Sequence, residues 1–172
     1  MGEIILLSLI ILLVLPFFFF ALFVMLASFT GAPFVISKQK KVKTMIQLAQ
    51  IKPGEKVIDL GSGSGIIVVS AAQQGAQAYG FEINPFLVLF AKLRILLSNT
   101  KNAHIVMRNF WKEDYKDFDV ITIYTLPWSM KRLEKKLKKE CKSGTRIVSN
   151  TFPFPTWKAE KEKNGIYMYI KK

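Results

Sequence analysis

The apolar run Val57-Ile58-Asp59-Leu60 leads into Gly61-Ser62-Gly63-Ser64-Gly65, and a second run, Gly80-Phe81, ends on Glu82 about 20 residues after the first glycine. A βαβ unit uses such an order to bring backbone N–H groups and a ribose-binding carboxylate to a nucleoside-bearing cofactor. Dinucleotide sites space their glycines G-x-G-x-x-G so that a helix start cradles a pyrophosphate. Here the third glycine arrives one residue early. Asp59, just ahead of the glycines, would repel phosphate but suits the ammonium of an amino-acid moiety. Together these features favour S-adenosylmethionine over NAD. The competing reading, a flexible turn with Asp59 capping the next helix, leaves Glu82 without a role.

Asp59, Gly61, Ser62, Gly63, Gly65, Glu82, Ile83 and Asn84 are therefore the candidate cofactor residues, with the glycines allowing close backbone approach. Asn109 and Phe110 follow the next strand pattern, where Asn can accept from an exocyclic amine and Phe can pack on a base; the alternative for Asn109 is a loop turn. Tyr124-Thr125-Leu126-Pro127-Trp128 closes the strand pattern after that. His104 is the only histidine and Cys141 the only cysteine, so a histidine-built metal site and an internal disulfide are excluded. Cys141 reads as an inert thiol at an exposure-prone position, and Asp119 as a strand entrance rather than a base.

The elements that must position these residues alternate. Helical periodicity covers 38–50, 65–74, 85–98 and 129–141. Strand patterns cover 56–60, 77–81, 104–107, 118–124 and 145–149. The run 131–140 reads as a solvated helix with Leu133 and Leu137 on one face. The tail 157–163, Asn164-Gly165, 166–170 reads as a two-residue hairpin. The pattern predicts an α/β fold: a Rossmann-like, doubly wound, mainly parallel sheet ending in an antiparallel hairpin, as in class I methyltransferases.

Ahead of this domain, 4–29 is free of charge, roughly 39 Å as a helix against about 30 Å of bilayer hydrocarbon. The expected organisation is a transmembrane anchor over 1–30, a pre-domain segment and first helix over 31–50, and the catalytic domain over 51–172. A cleaved leader fits poorly, because Met1-Gly2-Glu3 lacks the basic start of a signal and Phe17 to Phe20 are consecutive phenylalanines. Pro16 is a candidate kink. All 25 Lys and Arg and 11 of the 12 acids lie from Lys38 onward, giving this part a net charge of +14. Lys38, Lys40, Lys41 and Lys43 at the membrane exit orient the domain to the cytoplasm, or to the equivalent compartment of an organelle. The charge itself fits anionic lipid, nucleic acid or plain solubility.

The succession Gly31-Ala32-Pro33-Phe34-Val35, Val57 to Gly63, Gly80 to Pro85 and Phe152-Pro153-Phe154-Pro155-Thr156-Trp157 resembles the membrane-anchored protein-lysine methyltransferases related to the mitochondrial ATP synthase c-subunit lysine methyltransferase. The resemblance spans nearly the whole chain. It departs at Ser64 and Ile66, where Asp and Arg are expected, which bears on substrate choice and cofactor affinity. It implies methylation of a lysine on a membrane protein, with Tyr124, Pro127 and Trp128 holding the amine and Phe34 and Ser37 in a pre-domain segment needed for activity, either a connector or a lid. Pro127-Trp128 is also similar to the end of the Asn-Pro-Pro-Tyr element of nucleic-acid amino-methyltransferases, but Thr125 and Leu126 replace its Asn and first Pro. Nucleic acid is accordingly the less favoured partner, and a non-catalytic cofactor-binding or lipid-docking module is the third reading.

Overall fold

The computed structural model describes residues 2–30 and 38–172, so the expectations for Phe34 and Ser37 fall outside the described residues. Helix α1 (Gly2–Thr30) runs unbroken through Pro16. The domain follows as α2 (Gln39–Ala49), β1 (Lys56–Leu60), α3 (Ile66–Ala72), β2 (Gln77–Glu82), α4 (Pro85–Leu97), β3 (Ala103–Met107), a 3-10 turn (Phe110–Lys112), β4 (Val120–Ile123), α5 (Pro127–Glu140), β5 (Arg146–Asn150), β6 (Lys161–Lys163) and β7 (Ile166–Ile170).

The seven strands form one sheet in the order β3-β2-β1-β4-β5-β7-β6. β1 pairs in parallel with β2 and β4, β2 with β3 and β4 with β5, whereas β7 runs antiparallel to β5 and β6. This is the doubly wound sheet and terminal hairpin expected from the alternation. Burial of nearly every residue of β1 and β4 explains why both read as continuous apolar runs rather than alternating ones. One face of the sheet packs against α2, α3 and α4 through Val42, Met45, Ile67, Val68, Val88 and Ala91. The other packs against α5 and the tail through Met130, Leu133, Leu137, Phe154 and Tyr169.

Local chemistry sets the boundaries. Asn84 Oδ1 accepts from the N–H groups of Phe86 (3.0 Å) and Leu87 (3.4 Å), and Pro85 occupies the first position of α4. Pro127 starts α5 two residues ahead of the expected Ser129, because Leu126 is extended and a proline at the first helical position costs no hydrogen bond. β4 is shorter than the expected 118–124, since Phe118 still belongs to a turn closed on the Tyr115 carbonyl. The hairpin turn is as expected, with Asn164 and Gly165 both at positive φ. Its first strand shrinks to three residues because Trp157 packs on Phe154 and Tyr169, with ring centroids 5.6 Å from each.

Two expectations are corrected. The 131–140 helix is not simply solvated: Glu134 is buried, accepts from the Thr156 N–H at 3.1 Å and pairs with Lys138 at 2.6 Å, tying α5 to the Phe-Pro-Phe-Pro segment. Cys141 is buried rather than exposure-prone, and burial pushes its thiol up to about 12, which keeps it protonated and inert.

Candidate cofactor site at the carboxyl ends of the strands

Chain order reverses between β1 and β4: the chain builds outward through β2 and β3, then returns to the other side of β1. Ligands of open α/β sheets sit at the carboxyl ends of the strands at such a switch point. All the predicted site segments lie there, as Gly61–Gly65 leaves β1, Glu82–Asn84 leaves β2, Asn109–Phe110 follows β3 and Tyr124–Trp128 follows β4.

The glycine turn is a backbone device. Gly61, Gly63 and Gly65 all have positive φ (74°, 51° and 74°), which side chains disfavour. The Gly61 and Ser62 N–H groups both donate to the Phe81 carbonyl at 3.0 Å, and Arg94 Nε donates to the Ser64 carbonyl at 2.8 Å. The Ser62 hydroxyl is turned inward and has no partner; a Cβ on Gly80 would come within 2.7 Å of it. Ser62 therefore shapes the turn from beneath. Gly80 is small because β2 passes under that turn.

Glu82 fastens the turn to the next loop. Its Oε2 accepts from the Gly63 N–H at 2.8 Å, and its Oε1 accepts from the N–H groups of Ile83 and Asn84 at 2.9 Å each. Of the roughly four acceptor positions on a carboxylate, three are thus filled by backbone. One remains, on Oε2. Gly61, Phe81, Glu82, Ile83, Asn109 and Phe110 line a narrow cleft that continues into a groove edged by Pro85, Met107 and Arg108.

Asp59 does not cap α3: Gly65 is at that helix start and no side chain bonds there. Instead Asp59 is buried, and its Oδ1 accepts from Thr122 Oγ1 at 2.7 Å. It forms no ion pair with any described residue. Burial is the main reason its carboxyl is pushed up to about 7; the Thr122 bond opposes this and the Glu82 charge adds to it. Thr122 was invisible as a site residue in the sequence, because only the register Asp59↔Thr122 of the parallel pair brings the two together.

Asn109 does act in a turn: its Oδ1 accepts from the Trp111 N–H at 3.0 Å, opening the 3-10 turn. Phe110 is buried, with its carbonyl held by the Tyr115 hydroxyl and its ring 4.9 Å from that of Trp111. Asn84 is wholly buried with its Nδ2 unpartnered. Across the site, Pro127 opens α5, Trp128 stands 66% exposed and Tyr124 is half-buried. Thr125 and Ser129 bond to each other at 2.7 Å and brace that corner. Asp119 accepts from the Lys56 N–H and pairs with Lys142 at 2.6 Å at the opposite, amino end of the strands.

A family model described as the ANTKMT methyltransferase domain matches residues 59–161. The chain is 34% identical over 126 residues to the ATP synthase c-subunit lysine N-methyltransferase of Mus musculus, covering 73% of this chain and 51% of the mouse protein. It is 33% identical over 149 residues to a protein-lysine N-methyltransferase of Saccharolobus islandicus, covering 80% of this chain and 92% of the archaeal one. The chain spans about half the length of the mammalian relatives it matches. Among solved structures, an RNA methyltransferase from Salinibacter ruber in complex with S-adenosyl-L-homocysteine superposes with a TM-score of 0.75 at 27% identity, covering 80% of this chain and 94% of that one.

Proposed function

The chain belongs to the family of the ANTKMT methyltransferase domain, and we propose that it is a membrane-tethered, S-adenosylmethionine-dependent methyltransferase that acts on a lysine amine of a membrane protein. The observation that carries the cofactor reading is Asp59, a buried carboxyl with no cation among the described residues, two residues before three left-handed glycines and on the strand next to that of Glu82. A buried acid without a cation is costly. An amino-acid ammonium is the partner that would offset that cost.

S-adenosylmethionine supplies, when bound, an electrophilic methyl group on a sulfonium. Around it, Gly61 and Gly63 leave room for the methionine moiety, while Gly65, where a Cβ would meet Ala91 Cβ at 3.0 Å, lets α4 pack against the turn; Asp59 offers its carboxylate to the ammonium, and Glu82 keeps one acceptor position for a ribose hydroxyl. Ile83 and Phe110 wall the base, and Asn109, whose Oδ1 already holds a turn, has its amide N–H groups to offer. Tyr124, Pro127 and Trp128 form the acceptor side. A lysine must arrive as the neutral amine, and an apolar aromatic setting beside a sulfonium favours that form by raising the cost of a second positive charge. Trp128 is exposed enough to cover an incoming side chain. Positioning, rather than a general base, is the contribution these residues make, and the proton leaves to solvent.

Tethering is supported by α1, where Gly2–Leu22 is long and apolar enough to cross a membrane, with a mean hydropathy of 3.1. The basic cluster from Lys38 to Lys43 supports a domain on the cytoplasmic or matrix side. The net charge of +14 from Lys38 onward and the likeness to the Salinibacter ruber RNA methyltransferase favour a second reading, a nucleic-acid acceptor. One experiment separates the two. Purified protein in nanodiscs is given radiolabelled S-adenosylmethionine and source-cell membranes, then protease or nuclease. Label that disappears with protease and maps to a lysine is the expected result; label lost only to nuclease replaces it with the RNA reading.

A further inference from the structure

Helix α4 is apolar on the side that faces away from the protein. Leu87, Val88 and Ala91 point into the core. Phe86, Leu89, Phe90, Leu93, Leu96 and Leu97 do not, and Leu89, Leu96 and Leu97 are 68%, 75% and 78% exposed. At about 100° per residue these six side chains fall within a stripe roughly 120° wide. Lys92 and Arg94 lie on its two flanks, the Arg94 guanidinium 5.5 Å from the Phe90 ring. A contiguous apolar stripe of this size on a soluble face marks an interaction site.

What covers it is indicated by its neighbour. Phe86, in the first turn of α4, meets Phe20 of α1 edge to face, with ring centroids 6.3 Å apart. Phe20 belongs to the charge-free stretch 4–29 of α1 on which the membrane reading rests. If α1 crosses the bilayer, that contact brings the first turn of α4 against the membrane-embedded helix. We propose that α4 is a second membrane element, lying in the interface of the same leaflet with its apolar stripe among the acyl chains and Lys92 and Arg94 at the headgroups. Interfacial helices have this design, an apolar face sunk about 5–10 Å and basic residues along its border. The inference rests on the reading of α1 as a membrane span. Its consequence is orientation: Pro85, which begins α4, also edges the groove into which the candidate cofactor cleft continues, so a seated α4 holds that cleft at the membrane surface instead of leaving the domain to swing on a tether.

The test uses the full chain with Cys141→Ser, reconstituted in vesicles of phosphatidylcholine and phosphatidylglycerol. An environment-sensitive fluorophore is placed by Leu12→Cys in α1, Leu96→Cys on α4 or Lys139→Cys on α5, and acyl chains are used with and without bromine. Bromine should quench the labels at positions 12 and 96 at least twofold and leave position 139 unchanged. Quenching at 12 without quenching at 96 overturns the role of α4 and leaves the anchor standing. Quenching at neither overturns the anchor reading and the proposal with it. A position-96 label shielded only when other membrane proteins are present, or only at high protein density, overturns the lipid assignment in favour of a protein partner or a second copy.

Discussion

Asp59 is the residue whose protonation reports on the site. Its carboxyl is pushed from an ordinary 3.8 up to about 7, first by burial. The folded value is the higher one, so the protonated form favours folding: its contribution is complete below about pH 4 and is lost as pH rises through about 7. In that window it lowers stability by up to roughly 1.4 kcal/mol per pH unit. Asp59→Asn should therefore melt with less pH dependence than wild type between these limits, and parallel curves would remove Asp59 as the cause. A docked ammonium pulls the carboxyl back to its charged form, so cofactor affinity should climb as pH approaches 7. Calorimetry near pH 6 in buffers of different ionisation enthalpy should detect close to one proton released; equal heats would place the ammonium elsewhere. Glu82 needs a gentler substitution. Glu82→Ala would strip an acceptor from three backbone N–H groups and damage the turn, whereas Glu82→Gln retains a carbonyl oxygen. The Gln variant should bind cofactor about 10- to 100-fold more weakly, the worth of a charge-assisted hydrogen bond, and unchanged affinity would count against a ribose contact.

At the scale of elements, the site depends on how closely β2 passes beneath the glycine turn. A Cβ at Gly80 would lie 2.6 Å from Ser62 Cβ and 2.7 Å from Ile105 Cδ1, both closer than such atoms pack. Gly80→Ala should cost about 1–3 kcal/mol by denaturant unfolding. Adding Ser62→Gly should recover part of that, as expected for residues in contact; strictly additive effects would mean that the strain is relieved elsewhere. These elements were mostly legible in the sequence because propensity and tertiary demand agree: β1 covers the expected 56–60, and Asn164-Gly165 makes the turn its chemistry predicts. Three features were not legible. Thr122 reaches Asp59, and Arg94 reaches the glycine turn, through pairings distant in sequence. Glu134, in a lysine-rich helix that reads as solvated, is buried by a segment that returns from β5. The outer face of α4 was hidden for a different reason: a helix apolar on both sides has no polar face to give its orientation away, and only the fold shows which half is unpaired.

For the whole molecule, the question is what α1 contributes. Among the described residues both clusters of the domain core draw on positions from Val42 onward, and α1 meets the domain through the Phe20–Phe86 contact outside them. Removing residues 1–30 should leave denaturant stability within about 0.5 kcal/mol and cofactor affinity unchanged. A soluble peptide bearing the acceptor lysine should be methylated at the same rate by both forms, since Tyr124, Pro127 and Trp128 are untouched. A membrane-embedded acceptor is different. Confinement to one bilayer turns encounter into a tethered process at high effective concentration, a gain of about 10²-fold or more where geometry permits. The truncated form should lose most of that gain on vesicles carrying the acceptor, and α4 alone should retain a salt-sensitive remainder through Lys92 and Arg94. Equal rates on embedded and soluble acceptors, in both forms, would separate the anchor from acceptor choice and leave it as an address for the protein itself.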